Sequence, residues 1–400
     1  MVCSSRWLTF LAGNAVLLSS CFGHANQIDL DPISKTDAFF EKQVSVTSIQ
    51  GITCYIDMGS LSSQLWGFMN WWPVVQLNMS MYDQYLNSLF SQLKTAGINQ
   101  INLSFAQIAG IDALLNGGVG SSSDDVIGQM MVDFPGALEE LIKQAYSFGI
   151  NVDLAFGGEN GTSMQICGQG ETPEGQAQKL ANFMKAFNIS AVDFDLESTV
   201  FTNVNPPNIA QAFFQTLYQQ ITPLGKRTTL TIEGGIQDWP LNYLKELFYN
   251  SSGLFIFPQL FTDLNLMLYS ATQYYLDANN PTWGIEQWLQ LMGKKNVGMI
   301  HIGFEDAINY ASPTASAGGT YILDTTNPGT AAAEIYTQLL QKLTHDGYPT
   351  GFAEPFFWPD GNLHAPGTWS RYETLNTNGN VSVNFATDMI KAFYTKLTSP

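Results

Sequence analysis

Polar and apolar positions alternate most sharply near the middle of the chain, in Ile189-Ser-Ala-Val-Asp-Phe-Asp-Leu-Glu197. Asp193, Asp195 and Glu197 fall on every second residue, with Phe194 and Leu196 between them and Val192 ahead. Successive side chains of a strand point to opposite faces, so this stretch places three carboxylates on one side and three apolar groups on the other. Elsewhere the period changes. From about Met81 to Ala96, the residues Tyr82, Tyr85, Leu86, Leu89, Phe90 and Leu93 recur at helical spacing; Gly97-Ile98 closes that helix and an apolar strand follows from Gln100 to Ala106. The same punctuation returns at Gly149-Ile150, after a helix over 136–147 and before a strand from Asn151 to Gly158.

The alternation runs the length of the chain. Strands are predicted at Gly51 to Asp57, Gln100 to Ala106, Asn151 to Gly158, the acidic stretch, Thr228 to Glu233, Asp263 to Tyr269, Asn296 to Phe304 and Thr350 to Trp358. Helices are predicted near 81–96, 136–147, 174–187, 208–222, 240–249, 283–293, 331–345 and 386–397. The segment 107–134 reads as a long loop, and Leu254 to Pro258 also has the look of a strand. Strict alternation of this kind predicts an α/β protein, a single (β/α)8 TIM barrel, in preference to a doubly wound open sheet. Active sites of such barrels form at the C-terminal ends of the strands, so Glu197 is expected nearest a substrate. Carboxylates ~6–7 Å apart along a strand are expected to share protons and raise one another's pKa, which suits a general acid.

Composition narrows the function. With 45% hydrophobic and 12% charged residues in 400, the chain is globular and can hold one large core. A formal charge of −18 argues against nucleic acid and anionic membrane surfaces and favours a neutral substrate. Arg6, the apolar run from Trp7 to Leu18 and the small residues Gly23-His-Ala25 read as a secretory signal peptide over 1–25. Leu18-Ser-Ser-Cys21 offers the alternative of a lipid anchor. A polar lead-in over 26–48 and a catalytic domain over 49–400 follow, and a secreted monomer without a membrane span is expected, periplasmic or lipid-anchored locations being the variants. Cys54 and Cys167 could form a disulfide or remain two buried thiols. No Cys/His cluster has zinc spacing, so neither a metal nor another cofactor is expected.

Ser190-Ala-Val-Asp-Phe-Asp-Leu-Glu197 resembles the fourth-strand signature D-x-x-D-x-D-x-E of glycoside hydrolase family 18, the chitinase family, with Ser190 at its first acidic position. Phe156-Gly157-Gly158 is similar to the end of the family's third-strand S-x-G-G, with Ala155 in place of Ser. Asp263-Leu-Asn-Leu-Met-Leu-Tyr269 is similar to the sixth-strand M-x-Y-D region, with Ser270 in place of Asp. Gly351-Phe-Ala-Glu-Pro-Phe-Phe-Trp358 resembles the eighth strand, which ends in the tryptophan beneath the reacting sugar.

The resemblance implies a retaining cleavage of β-1,4-linked N-acetylglucosamine (GlcNAc) polymers such as chitin. Glu197 would protonate the glycosidic oxygen while the substrate's own acetamido carbonyl attacks the anomeric carbon. Asp195 would orient the acetamido N–H, Asp193 would share a proton with Asp195, and Tyr269 would donate to the acetamido oxygen. Trp358, Met267, Gly157, Gly158, Trp71 and Trp72 are the expected substrate contacts, because indole faces suit the C–H faces of sugar rings. Trp66, Trp239 and Trp283 also fall in strand-to-helix segments, Asp57, Glu159 and Glu233 lie near strand ends, and His301 reads as a core histidine. With no room for an insertion between Phe304 and Ala331, a shallow, endo-acting groove is expected. An endo-β-N-acetylglucosaminidase acting on N-glycans and a non-hydrolytic chitinase-like lectin are the alternatives.

Overall fold

The strand segments pair edge to edge into a closed ring. The computed structural model describes residues 51–58, 61, 65–70, 76–107, 126–158, 165–166, 170–196, 199–233, 241–267, 283–305, 328–358 and 385–398. In chain order the strands are β1 (Ile52–Asp57), β2 (Met69–Asn70), β3 (Gln76–Leu77), β4 (Ile98–Ala106), β5 (Asn151–Gly157), β6 (Ala191–Leu196), β7 (Arg227–Glu233), β8 (Asp263–Met267), β9 (Ile300–Glu305) and β10 (Phe356–Trp358). All but β2 and β3 form a closed parallel barrel, ordered β1-β10-β9-β8-β7-β6-β5-β4. The helices are α1 (Met79–Thr95), α2 (Val126–Asp133), α3 (Ala137–Ser147), α4 (Pro173–Ala186), α5 (Thr199–Val204), α6 (Pro207–Ile221), α7 (Leu241–Phe248), α8 (Trp283–Met292), α9 (Pro328–His345) and α10 (Phe385–Thr398). The predicted (β/α)8 barrel is therefore the observed fold.

Local chemistry accounts for the elements. Asn78 caps α1 by accepting from the Met81 amide at 3.3 Å, and the six apolar residues at helical spacing are buried. Thr172 caps α4 from the Gly175 amide, with Pro173 in the first turn. Gly97, with φ 91°, and Gly149, with φ 67°, end α1 and α3 in the left-handed region, as the repeated Gly-Ile punctuation predicts. Ala191–Leu196 of the acidic stretch form β6, buried on both faces. Phe194 points outward into an aromatic cluster with Phe156, Phe213 and Phe214. Among the described residues no helix is long and apolar enough to cross a membrane.

Three expectations are corrected and one ambiguity is resolved. The segment 107–134 contains α2, whose Ile127 and Met130 are buried; a Gly/Ser/Asp-rich approach masks this short apolar face in the sequence. The strand expected from Asn296 starts only at Ile300, because the polar Lys294–Met299 turn forms a 3-10 helix. The last strand begins at Phe356 rather than Thr350, since Pro355 has no N–H for a ladder. Leu254 to Pro258 does not join the barrel: Phe255 bridges back to Tyr249, and a 3-10 turn follows over Phe257–Gln259.

Candidate active site in the barrel lumen

Register sets the site. Ala155, Asp193, Thr229 and Asp263 are successive cross-strand partners, and one pleat higher so are Gly157, Asp195, Thr231, Asn265 and His301. Since side chains two apart share a face, Asp193 and Asp195 both stand on the lumen side. Both are buried.

Asp193 sits in a cradle of donors. The Tyr55 hydroxyl donates to its Oδ2 at 2.5 Å, and Thr229 donates to Oδ1. Thr231 Oγ1 lies 2.7 Å from Oδ1 and 2.9 Å from Oδ2, and Asn265 Nδ2 approaches Oδ1 at 3.3 Å. Burial pushes the Asp193 carboxyl above the usual carboxylate range, and the hydrogen bonds from Thr229, Tyr55 and Thr231 pull against that rise. The rise at Asp193 thus comes chiefly from burial and not from the expected mutual repulsion of the carboxylates. Tyr55 itself is pushed well above the ordinary tyrosine value by burial and then by the charges of Asp193 and Asp195.

Around the cradle the lumen is apolar. Tyr55, Ala155, Met267 and Phe356 form a small buried cluster against which Phe105 packs, and the Tyr55 and Phe356 rings lie 5.7 Å apart. Gly303 leaves room for Phe356, because a Cβ there would sit 2.2 Å from the ring. Gly157 serves a different approach. With φ 115°, it brings β5 so close to β6 that a Cβ would meet the Asp195 carbonyl oxygen at 2.0 Å, and the Gly158 amide donates to that oxygen at 3.0 Å. Gly157 and Gly158, expected as substrate contacts, thus hold the backbone of Asp195.

Nearer the N-terminal ends of the strands lies an ionic layer. Arg227, a third exposed, reaches Asp153 and Asp263 at 3.3 Å each and donates to Gln100. His301 Nε2 is 3.3 Å from Asp263, and its Nδ1 meets the Glu354 carbonyl. This places His301 in the core, as its sequence context indicates. Burial pushes Asp153 up to about 7, only partly opposed by Arg227. At Asp263 burial also acts upward, but the hydrogen bond and charge of His301 and the charge of Arg227 outweigh it and leave the carboxyl low.

Of the expected site residues, Asp193, Asp195, Met267, Gly157 and Gly158 come together in the lumen. Glu197, Tyr269, Trp71 and Trp72 lie outside the described residues, as do Ser270, Glu159, Trp239 and Cys167. The signal peptide and lead-in fall there too. Trp358 ends β10, Asp57 ends β1 and Glu233 ends β7, and Trp66 and Trp283 begin helical segments; their side chains are outside the described residues. Ser190, at the signature's first acidic position, pairs its hydroxyl with that of Tyr146 at 2.7 Å. Sequence reasoning missed Tyr55, Thr229, Thr231 and Arg227. The available signal for Tyr55 was the polar alternation Thr53, Tyr55, Asp57 along β1.

No family model matches the chain, and no curated protein does. Among solved structures it is similar to a GH18 chitinase from Pseudoalteromonas aurantia, at 15% identity and a TM-score of 0.49 over 78% of this chain and 97% of that one. It is also similar to the catalytic domain of a hyperthermophilic chitinase from Pyrococcus furiosus, at 16% identity and a TM-score of 0.46 over 88% and 99%. An endo-beta-N-acetylglucosaminidase from Cordyceps militaris is similar at 12% identity and a TM-score of 0.45 over 86% and 91%. At these identities and scores the likenesses carry no weight for function; the barrel rests on its own strand pairing.

Proposed function

We propose that this chain is a secreted glycoside hydrolase that cleaves β-1,4-linked GlcNAc polymers with retention, by the substrate-assisted route of the chitinase family. The observation that carries the reading is the fourth barrel strand, β6. It holds Asp193 in a buried cradle of four donors and Asp195 one pleat above, and in the sequence the every-second-residue run of acids continues to Glu197. Taking a carboxylate out of water is costly even when it is hydrogen-bonded, and β6 places two on its inner face.

In this reading Glu197 protonates the glycosidic oxygen as the leaving group departs. The acetamido carbonyl of the same sugar attacks the anomeric carbon, giving a cyclic oxazolinium ion, and water activated by Glu197 then opens it with net retention. Asp195 orients the acetamido N–H and balances the positive ring, Asp193 fixes the charge beneath Asp195, and Tyr269 donates to the acetamido oxygen. Holding an internal nucleophile in place can remove ~7–11 kcal/mol of the activation barrier. Trp358 at the end of β10, with Trp71 and Trp72, supplies platforms for the sugar faces.

The test is to incubate the purified full chain with chitin oligomers and with a high-mannose glycopeptide and to weigh the products. Shortened oligomers with an intact glycopeptide are expected. Cleavage within the glycopeptide's GlcNAc pair alone would move the assignment to an endo-β-N-acetylglucosaminidase, and binding without cleavage to a lectin.

A further inference from the structure

We infer that Thr229 and Thr231 on β7 are positioning residues that fix the orientation and ionisation of Asp193 from one side of the strand. The kinetic consequence rests on the hydrolase reading above; the contact chemistry does not. In the ladder, Asp193 lies between Ala155 on β5 and Thr229 on β7. Ala155 has no polar side-chain atom, so the β5 neighbour offers the carboxylate nothing. Two threonines at positions i and i+2 of β7 face the lumen together, both buried, and both reach Asp193. Thr228 between β7's start and Thr229 behaves differently: its hydroxyl donates to the Leu260 carbonyl at 2.9 Å, away from the lumen.

Proton bookkeeping gives the pair a direction. A threonine hydroxyl has one proton to donate and lone pairs to accept with. Asn265 Nδ2, which can only donate, lies 2.8 Å from Thr231 Oγ1. That occupies a lone pair of Thr231, whose single proton then has two acceptors in reach: Asp193, with its two oxygens 2.7 and 2.9 Å away, and the Tyr55 hydroxyl oxygen at 2.8 Å. Tyr55 gives its own proton to Asp193, so either choice leaves the Thr231 hydroxyl supporting the carboxylate, directly or through Tyr55. Thr229 adds a second hydroxyl to Oδ1. Donors aimed at a carboxylate favour its ionised form. Burial works the other way at Asp193, and Thr229 stands first among the groups that oppose it.

The experiment follows the Asp193 carboxyl directly by 13C NMR titration of the full chain labelled at aspartate, in the wild type and in Thr229→Val, Thr231→Val and Thr231→Ser. Valine keeps the shape and removes the hydroxyl; serine keeps the hydroxyl. Each valine is expected to raise the Asp193 midpoint by about one pH unit, the equivalent of one lost hydrogen bond. Serine should restore it, and the acid limb of the kcat/KM profile on a GlcNAc oligomer should move in parallel. Thr229→Ala and Thr231→Ala, which remove the hydroxyl without adding a methyl to the buried lumen, should shift the midpoint the same way and serve if a valine variant does not fold. A midpoint unmoved in the folded valine or alanine variant of either threonine, or a serine variant displaced as far as valine, overturns the inference. A wild type that cleaves no GlcNAc substrate defeats the hydrolase reading, while the NMR midpoints still decide the role of the threonines.

Discussion

Asp193 is the residue on which the lumen converges. Its carboxylate is taken out of water entirely, which alone favours the neutral acid, and Tyr55, Thr229, Thr231 and Asn265 surround it with donors that favour the ion. Tyr55 is the most remote of these in sequence, standing 138 positions from Asp193 against 72 for Asn265. Tyr55→Phe keeps the ring against Phe356 and removes only the hydroxyl. Its loss from a charged acceptor is expected to lower stability by about 1–3 kcal/mol. It should also depress kcat more than it weakens oligomer binding, which denaturant titration and steady-state kinetics can read separately. At this scale the sequence exposed the acidic stripe, because period-2 alternation of carboxylates is rare and conspicuous. It did not expose the hydroxyls. Tyr55, Thr229 and Thr231 are ordinary strand residues by composition, and only the closure of the barrel brings them to one carboxylate.

Pairs of strands carry the next layer of the account. β5, β7 and β8 contribute Asp153, Arg227 and Asp263 to the ionic layer near the strands' N-terminal ends, and β9 adds His301. The two acids there diverge: Asp263 is held low, whereas Asp153 is pushed to about 7 by burial. A carboxyl whose folded pKa exceeds its unfolded value holds its proton more tightly when folded. The stability it contributes is present at low pH and is lost as pH rises from about 4, the unfolded value, toward 7. Asp153→Asn cannot titrate, so the fall in unfolding free energy between those limits should be shallower in the variant than in the wild type. Equal slopes across that window would rule the assignment out. Element boundaries were legible where Gly-Ile punctuation or a cap marked them, as at Gly97, Gly149, Asn78 and Thr172. They were not where backbone chemistry outranked side-chain pattern: Pro355 shortened β10, and the Lys294–Met299 turn delayed β9.

For the whole molecule, closure is what turns a striped strand into a site. An open sheet would leave one edge of the acidic face to solvent, whereas the barrel covers both faces of β6, lines the lumen with Tyr55, Met267 and Phe356, and leaves the strands' C-terminal ends as the way out. The negative formal charge is consistent with a neutral sugar polymer as substrate and discourages nucleic acid. Fold class was readable because eight strand-helix units in one chain leave few other architectures. The chemistry at the rim remains the decisive matter, and it turns on the acid that continues the alternation of β6. The most direct test is turnover of a chitin oligomer by Glu197→Gln beside the wild type, with oligomer binding measured on both. The account predicts cleavage by the wild type and, for the variant, retained binding with release reduced at least about a thousandfold, the upper part of the range for loss of a general acid. Turnover by Glu197→Gln near the wild-type rate would contradict it.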